Sequence, residues 1–221
     1  MDNQRGFFYY TIRRGDTIYK IANEFGSSIQ RIIIANPGIN IYNLNVGDKI
    51  IVPIGNVTRD DEYYNSSKLN NDLKALKMLY PFIQIIEIGR SVRGVQIQCV
   101  KIGVGTKEVS YNASFHANEL ITTNVLMRFI EEYARAFVNN DSINGHNAKK
   151  IYYNTTNYIV PLVNTDGVDL VTESIPIVDN TYINAQKIAN NYPAISFPSG
   201  WKANIQGVDL NLQFPARMGR S

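Results

Sequence analysis

Two residues three positions apart have the side chains needed to bind a metal ion. His116 and Glu119 lie in the segment Ser114-Phe115-His116-Ala117-Asn118-Glu119, where a predicted strand passes into a predicted helix. At such a junction an imidazole nitrogen and a carboxylate oxygen can point at one place, and a catalytic zinc ion takes three protein ligands of these kinds. Taken alone, the spacing also fits an acidic residue in the first turn of an ordinary helix, where the helix dipole favours it.

The pattern around this pair alternates between strands and helices. Strands are predicted at Ile83–Ile88, Val95–Ile102, Val109–Phe115 and Tyr158–Val163, and helices at Leu69–Tyr80, Glu119–Phe137 and Tyr182–Asn191. This alternation indicates an α/β domain with a mixed sheet. The apolar face of the longest helix is predicted to consist of Ile121, Val125, Phe129, Ile130 and Tyr133.

The first fifty residues form a separate pattern of strand, helix, helix and strand. The strands are predicted at Phe8–Ile12 and Lys49–Pro53, with Asp16 as the N-cap of the first helix and Ser28 as the N-cap of the second. Residues 54–61 are polar and aperiodic, which is typical of a linker.

Composition excludes several classes of function. The net charge of +3 is too small for a nucleic-acid-binding surface, and the single cysteine excludes an intrachain disulfide and a cysteine zinc cage. No apolar run reaches the roughly 20 residues of a membrane span. The first residues lack the basic start and apolar core of a signal peptide, so no export signal is visible in the sequence.

Residues 7–53 resemble a LysM module. The resemblance rests on Tyr10-Thr11-Ile12, Arg14–Tyr19, Ala35-Asn36-Pro37 and Leu44–Pro53. It implies a βααβ fold that binds N-acetylglucosamine-containing glycans such as peptidoglycan. Backbone groups and a shallow apolar floor in one groove would bind the glycan, at Gly15, Asp16, Thr17, Ile18, Asn36, Pro37 and Ile39. Each of these residues taken singly also fits a cap or a turn.

Residues from about Asp61 to Pro215 resemble the zinc carboxypeptidase family, and the domain is expected to span residues 62–221. The resemblance rests on three segments in order, Tyr111–Glu119, Val160–Val168 and Gly207–Pro215, with Trp201–Ile205 before the last of them. Within the family, the branch of γ-D-glutamyl-L-diamino acid endopeptidases is the most similar. The resemblance implies an incomplete α/β/α mixed-sheet domain that binds Zn²⁺ and cleaves peptidoglycan stem peptides. Because that substrate lies outside the cytoplasm and no signal peptide is visible, we expect a protein that is cytoplasmic, or associated with the mother cell or the spore, and that acts on the cell wall.

The same resemblance assigns roles to individual residues. His116 and Glu119 are the first two zinc ligands, Lys202 stabilises the oxyanion, and Asn211 contacts a substrate carboxylate. Leu212 stands where the family has an arginine, which disfavours a C-terminal carboxypeptidase pocket and favours the endopeptidase branch. A structural turn is expected at Asn164, Asp166 and Gly167.

Two family residues have no counterpart in this sequence. The third zinc ligand is a histidine beyond Asn211 and the general base is a glutamate further on, but no histidine follows Asn211 and no acidic residue follows Asp209. We therefore expect an inactive, C-terminally truncated fragment of such a peptidase. The alternative is a non-catalytic peptidoglycan-binding protein. His146, in a polar loop, is predicted to be a surface residue rather than a substitute ligand.

Overall fold

The structure is a computed structural model, and it describes residues 7–53, 57–58 and 63–213. The elements in chain order are β1 (Phe7–Thr11), α1 (Ile18–Glu24), α2 (Ile29–Ala35), β2 (Lys49–Pro53), α3 (Ser66–Leu79), β3 (Gln84–Arg90), β4 (Gln96–Gly103), β5 (Lys107–Asn112), α4 (Leu120–Asn139), β6 (Ser142–Ile143), β7 (His146–Asn147), α5 (Ala148–Asn154), β8 (Thr155–Val160), α6 (Thr165–Val171) and α7 (Asn180–Ala189). A 3-10 turn, Leu210–Leu212, follows α7. Across these described ranges, every helix is too short or too polar to cross a bilayer.

Residues 7–53 form the expected βααβ unit. Strands β1 and β2 pair antiparallel, and alternate β1 residues point inward. The rings of Phe8 and Tyr10 pack on Phe25, with centroid distances of 4.7 and 5.3 Å. Aromatic pairs at this separation add to the stabilisation from buried apolar area. The core of this small unit is therefore largely aromatic where β1 meets the end of α1.

The N-cap of α1 differs from the prediction. Thr17, not Asp16, caps the helix, and its hydroxyl accepts a hydrogen bond from the Lys20 amide at 3.2 Å. The Asp16 carboxylate instead accepts bonds from the Tyr10 hydroxyl at 2.8 Å and the Arg13 amide at 2.7 Å. Threonine is also a favoured N-cap, although it ranks below aspartate, and Thr17 has the extended backbone of a cap residue. Ser28 caps α2 as predicted.

The second unit contains a mixed four-stranded sheet in the order β3-β4-β8-β5. Strand β8 runs antiparallel to β4 and parallel to β5, which confirms the predicted mixed α/β architecture. Val100, Ile102 and Ile159 are fully buried at the centre of the sheet. The apolar run predicted as a strand at Tyr158–Val163 provides the second half of β8, Tyr158–Val160, and the burial of Ile159 accounts for its apolar character.

The buried face of α4 is only partly the predicted one. Ile130 and Tyr133 are buried, but Ile121 and Val125 are exposed. Met127 lies in the core in their place, and so does the carboxyl-bearing Glu131. A buried carboxylate breaks the apolar periodicity from which a helix face is predicted.

Glu131 binds the segment that connects the two units. Its carboxylate accepts hydrogen bonds from the Val57 amide at 2.7 Å, the Thr58 amide at 2.9 Å and the Thr58 hydroxyl at 2.6 Å. All three residues are almost completely buried. The rest of the predicted linker, 54–56 and 59–61, lies outside the described residues. At its centre, however, the connection is held to α4 by three charge-assisted hydrogen bonds.

Candidate metal and peptidase site

The loop between β5 and α4 is held in place by hydroxyl groups. Ser114, at its start, has a positive φ of 48°. The Ser114 amide donates to the Thr122 hydroxyl at 3.0 Å, and its own hydroxyl lies 2.8 Å from that of Thr123. These bonds fix a conformation that non-glycine residues seldom adopt, and the loop then carries residues 115–119 to the start of the helix.

This loop brings His116 and Glu119 together as predicted. Nδ1 of His116 lies 2.8 Å from Oε1 of Glu119. The imidazole is largely buried, whereas the carboxylate is about half exposed. Glu119 is also the residue that precedes α4, and its side chain does not cap the helix. Its carboxylate is therefore turned to the imidazole rather than to the helix amides, as a shared metal site requires.

A second carboxylate lies on the other side of the imidazole. Oδ1 of Asp209 is 3.4 Å from Nε2 of His116. Histidines that bind metals commonly direct their second ring nitrogen at a carboxylate, which orients the ring. The sequence places Asp209 within the Gly207–Pro215 segment but does not predict its contact with His116. The acid in Gly207-Val208-Asp209 is the signal that could have suggested it.

The donors present fit part of a zinc site. An imidazole nitrogen and a carboxylate oxygen already in contact need only small side-chain shifts to share one ion at about 2.0–2.2 Å each. Residues 7–53, 57–58 and 63–213 contain no group of three histidine, cysteine or acidic side chains placed to hold a metal. The described site therefore supplies two donors, His116 and Glu119, with Asp209 behind the imidazole.

Lys202 lies on the segment next to the metal donors. The Lys202 carbonyl accepts a hydrogen bond from the amide of Ala117 at 3.0 Å. The backbone of Lys202 is therefore bonded to the residue that follows His116. Its side chain is exposed and lines a groove of about 470 Å³ together with Asp209 and the largely buried Trp201. The assignment of Lys202 as oxyanion stabiliser remains a prediction, and its position beside the donors is compatible with it.

Asn164 joins the two loops that build the site. Its side-chain NH₂ donates to the carbonyls of Phe115 at 3.1 Å and Ala203 at 3.0 Å. Its Oδ1 accepts from the Gly167 amide, which makes Asn164 the N-cap of α6. The turn predicted at Asn164, Asp166 and Gly167 is thus wrong, because these residues begin a helix.

Other predicted site residues lie in exposed positions. Asn211 is in the 3-10 turn after Asp209, and Leu212 beside it is exposed. The substrate contact assigned to Asn211 stays a prediction. His146 is exposed in the small β6–β7 hairpin, as expected for a surface histidine.

The residues predicted to bind glycan in the LysM unit differ in whether their side chains are exposed and free to contact a ligand. Gly15, Thr17 and Pro37 are exposed. Ile18 is buried, so it can contribute only backbone groups to a groove. The Asn36 side chain is occupied by the carbonyls of Ile32 and Ile51 and by the Ile51 amide, at 2.6 to 2.8 Å. Within the predicted set, Asn36 therefore joins α2 to β2, and glycan binding at this groove remains a prediction.

Comparison with known proteins agrees with this architecture. Residues 69–221 match the family model described as zinc carboxypeptidase, and residues 10–53 match the LysM domain. Gamma-D-glutamyl-L-diamino acid endopeptidase 1 of Lysinibacillus sphaericus is 46% identical over 154 residues, which is 70% of this chain and 38% of that protein. The uncharacterized protein YqgT of Bacillus subtilis is 34% identical over 200 residues, 90% of this chain and 50% of that protein. The chain thus spans half or less of the length of these curated relatives.

A solved structure has the same fold. The crystal structure of thrombin activatable fibrinolysis inhibitor aligns with a TM-score of 0.50 at 15% identity, covering 68% of this chain and 34% of that one. The zinc carboxypeptidase match covers more than half of the chain and includes His116, Glu119 and Asp209. The chain carries a LysM domain and belongs to the zinc carboxypeptidase family.

Proposed function

We propose that this chain takes part in cleaving the bond between γ-D-glutamate and a diamino acid in the stem peptides of peptidoglycan. The observation that carries the proposal is the contact between His116 and Glu119 at the β5–α4 junction. The identity of 46% to a γ-D-glutamyl-L-diamino acid endopeptidase over the region that contains this pair supports the substrate class.

The proposed division of the chain follows its sequence pattern. Residues 7–53 would be the glycan-binding module, 54–61 the connection and 62–221 the peptidase domain. The LysM match supports anchoring on wall glycan. The place of action would be the cell wall, and the partners would be its glycan strands and stem peptides.

The residues of this chain would hold and orient the reacting groups. His116 Nδ1 and the Glu119 carboxylate would hold a zinc ion, which when bound supplies Lewis-acid polarisation of a carbonyl. Asp209 would keep the His116 ring in the orientation that presents Nδ1. Lys202, an exposed cation on the adjacent segment, would bind the carbonyl oxygen as it gains negative charge.

The test is digestion of purified muropeptides, followed by mass spectrometry. The chain is tested alone and joined to the C-terminal part of the Lysinibacillus relative, each loaded with zinc. We expect the joined protein to release the diamino-acid-containing fragment, and the His116→Ala form to release none. Intact stem peptides after incubation with the folded, zinc-loaded joined protein would refute the proposal.

A second function, peptidoglycan binding without cleavage, is favoured by the LysM match at residues 10–53. Its βααβ unit contains the packed rings of Phe8, Tyr10 and Phe25 and neither of the proposed metal donors. We expect the 221-residue chain to sediment with purified peptidoglycan whether or not zinc is present. Cosedimentation without peptide release, even from the joined protein, would favour this binding function over the peptidase.

A further inference from the structure

An apolar groove lies beside the metal donors. This groove, the Trp201 groove, has a volume of about 470 Å³ and is lined by the end of α7 and by residues of the segment 192–209. Its apolar lining consists of Ile188, Ala189, Tyr192, Ile195, Phe197 and Trp201. Asp209 also lines it, and Oδ1 of Asp209 is 3.4 Å from Nε2 of His116. One part of the groove therefore borders the proposed metal site.

Apolar side chains of the Trp201 groove can be reached by a ligand. Tyr192 is 61% exposed and Ile195 is 54% exposed. Trp201 is largely buried, and its indole N–H donates to the Asn204 carbonyl at 3.2 Å, which fixes the ring. The partly buried Phe197 packs edge-on against it, with a centroid distance of 5.8 Å. Exposed apolar side chains beside a fixed indole ring suit the apolar part of a ligand.

Lys202 gives the Trp201 groove a positive charge. It is exposed, and it is the one basic residue among the described residues that line the groove. Its ammonium has no ion pair or hydrogen bond within residues 7–53, 57–58 and 63–213. The carboxylate of Asp209, by contrast, accepts from the Asn211 amide at 3.0 Å and faces His116. An apolar surface with one available cation selects a ligand that has an apolar part and a carboxylate.

The proposed substrate has a carboxylate close to the bond that is cleaved. In a γ-glutamyl bond the side-chain carboxyl forms the amide, so the α-carboxyl of the same residue stays free and is ionised at neutral pH. Four carbon–carbon bonds of about 1.5 Å separate its carbon from the scissile carbonyl carbon, so the two lie at most about 5 Å apart. In a peptide joined through α-carboxyl groups, the main chain carries no such charge before its C-terminus. A cation beside the metal site can therefore recognise the γ-linkage.

We propose that the Trp201 groove binds the γ-D-glutamyl residue of the substrate, with its α-carboxylate on the Lys202 ammonium and its methylene groups on the apolar lining. This inference rests on the proposed function and adds to it the residue that distinguishes γ-linked from α-linked peptides. The Lys202 backbone is bonded to Ala117, next to His116, and its flexible four-carbon stem lets the ammonium reach the carboxylate. Because an ammonium has three N–H donors, this contact leaves donors for the scissile carbonyl oxygen.

The test is a binding measurement on the full, zinc-free chain, which requires no cleavage. The ligands are L-alanyl-γ-D-glutamyl-L-lysine and the matched peptide with D-isoglutamine, in which only the α-carboxylate is replaced by an amide. Trp201 is the single tryptophan of the chain, so its indole N–H signal in NMR spectra of the ¹⁵N-labelled protein reports on this groove and not on the LysM unit. We expect saturable shifts of this signal. The carboxylate peptide should bind about fivefold more tightly, the upper range for an exposed ion pair.

Three variants assign the preference to the charge of Lys202. Lys202→Met removes the charge and keeps an apolar stem, so it should bind the two peptides equally. Lys202→Arg keeps the charge and should keep the preference. Lys187→Met is the matched control, because Lys187 is exposed near the end of α7 but does not line the groove, and this variant should also keep the preference. Both lysine side chains are exposed, so the melting temperature should be unchanged in all three variants.

Three results would overturn the proposal. The first is an indole signal of Trp201 that shifts with neither peptide, which would show that the groove does not bind the substrate. The second is equal affinity of the wild type for the two peptides, as expected if Lys202 contacts only the scissile carbonyl oxygen. The third is a preference for the carboxylate peptide that survives in Lys202→Met.

Cleavage by the joined, zinc-loaded protein separates this proposal from the proposed function. Equal kcat/KM for the two peptides would refute the contact between Lys202 and the α-carboxylate and leave the peptidase function standing. Peptides that stay intact, together with a binding preference that depends on Lys202, would refute the peptidase function and leave the contact standing.

Discussion

The Oδ1 atom of Asp209 lies 3.4 Å from Nε2 of His116, on the side of the ring opposite the nitrogen that contacts Glu119. The imidazole is thus placed between two carboxylates that come from distant parts of the sequence. One of them, Glu119, contacts Nδ1, the nitrogen proposed to bind the metal, and the other, Asp209, faces Nε2. This arrangement leads to the first two predictions.

Replacing Asp209 by asparagine should weaken zinc binding about 10- to 100-fold, the usual effect of losing such an orienting carboxylate. Asparagine keeps the oxygen that accepts from the Asn211 amide, so the local turn should survive. Competition against a chromophoric chelator measures the affinity. Asp141→Asn, at an exposed site, is the control, and equal affinities in both variants would contradict the orienting role.

The two histidines of the chain should differ in their effect on zinc binding. His116→Ala removes one of two donors and should abolish measurable binding, whereas His146→Ala should leave it unchanged because that ring is exposed in the β6–β7 hairpin. Cobalt substitution, followed by visible absorption, reports the ligand set directly. A change in the cobalt spectrum on His146→Ala would show that this histidine is a ligand after all.

Replacing Glu131 by alanine should lower the free energy of unfolding by about 3 kcal/mol, because two buried amides and a hydroxyl lose their acceptor. Urea denaturation followed by circular dichroism measures the loss. The neighbouring Glu132 pairs with Arg128 at a partly exposed position, so Glu132→Ala should cost less than about 1 kcal/mol. Equal losses would mean that the Val57–Thr58 contact contributes little.

Tyr10 should titrate at unusually high pH. Burial, followed by its hydrogen bond to the Asp16 carboxylate, raises the pKa of Tyr10 to about 12. Since the folded pKa exceeds the unfolded value of about 10, the stability gained from this group is complete below pH 10 and is lost as the pH rises towards 12. Ultraviolet titration of the wild type against Tyr10→Phe isolates this phenol, and a pKa near 10 would contradict the buried contact.

Much of the fold could be predicted from local sequence. Strands β1, β2, β4 and β8 and helices α3, α4 and α7 follow from apolar periodicity and from turn residues, and the structure places them within a few residues of the predicted bounds. The N-cap of α1 was misassigned because Asp16 and Thr17 are adjacent and both suit a cap. What decides between them is a tertiary contact, the bond from the Tyr10 hydroxyl to Asp16.

The site could be predicted only where its residues are close in sequence. His116 and Glu119 lie three positions apart on one loop, so their spacing indicates their contact. Asp209 and Asn164 reach the same loop from far along the chain, and no periodicity shows which residues meet there. The burial of Glu131 was missed for the same reason, since its partners lie in a segment that looks like a linker.

Under the proposed function, the hydrogen bonds that Val57 and Thr58 donate to Glu131 would have a mechanical consequence. A flexible linker would let a peptidase domain reach every stem peptide within the linker's length of the bound glycan. With the connection bonded to α4 at Val57 and Thr58, the distance from a glycan bound at the LysM unit to the proposed peptidase site would vary less than it does with a free linker. The stem peptides open to the proposed cleavage would then be those that lie at this distance from the bound sugar, so their spacing would follow the repeat of the glycan strand.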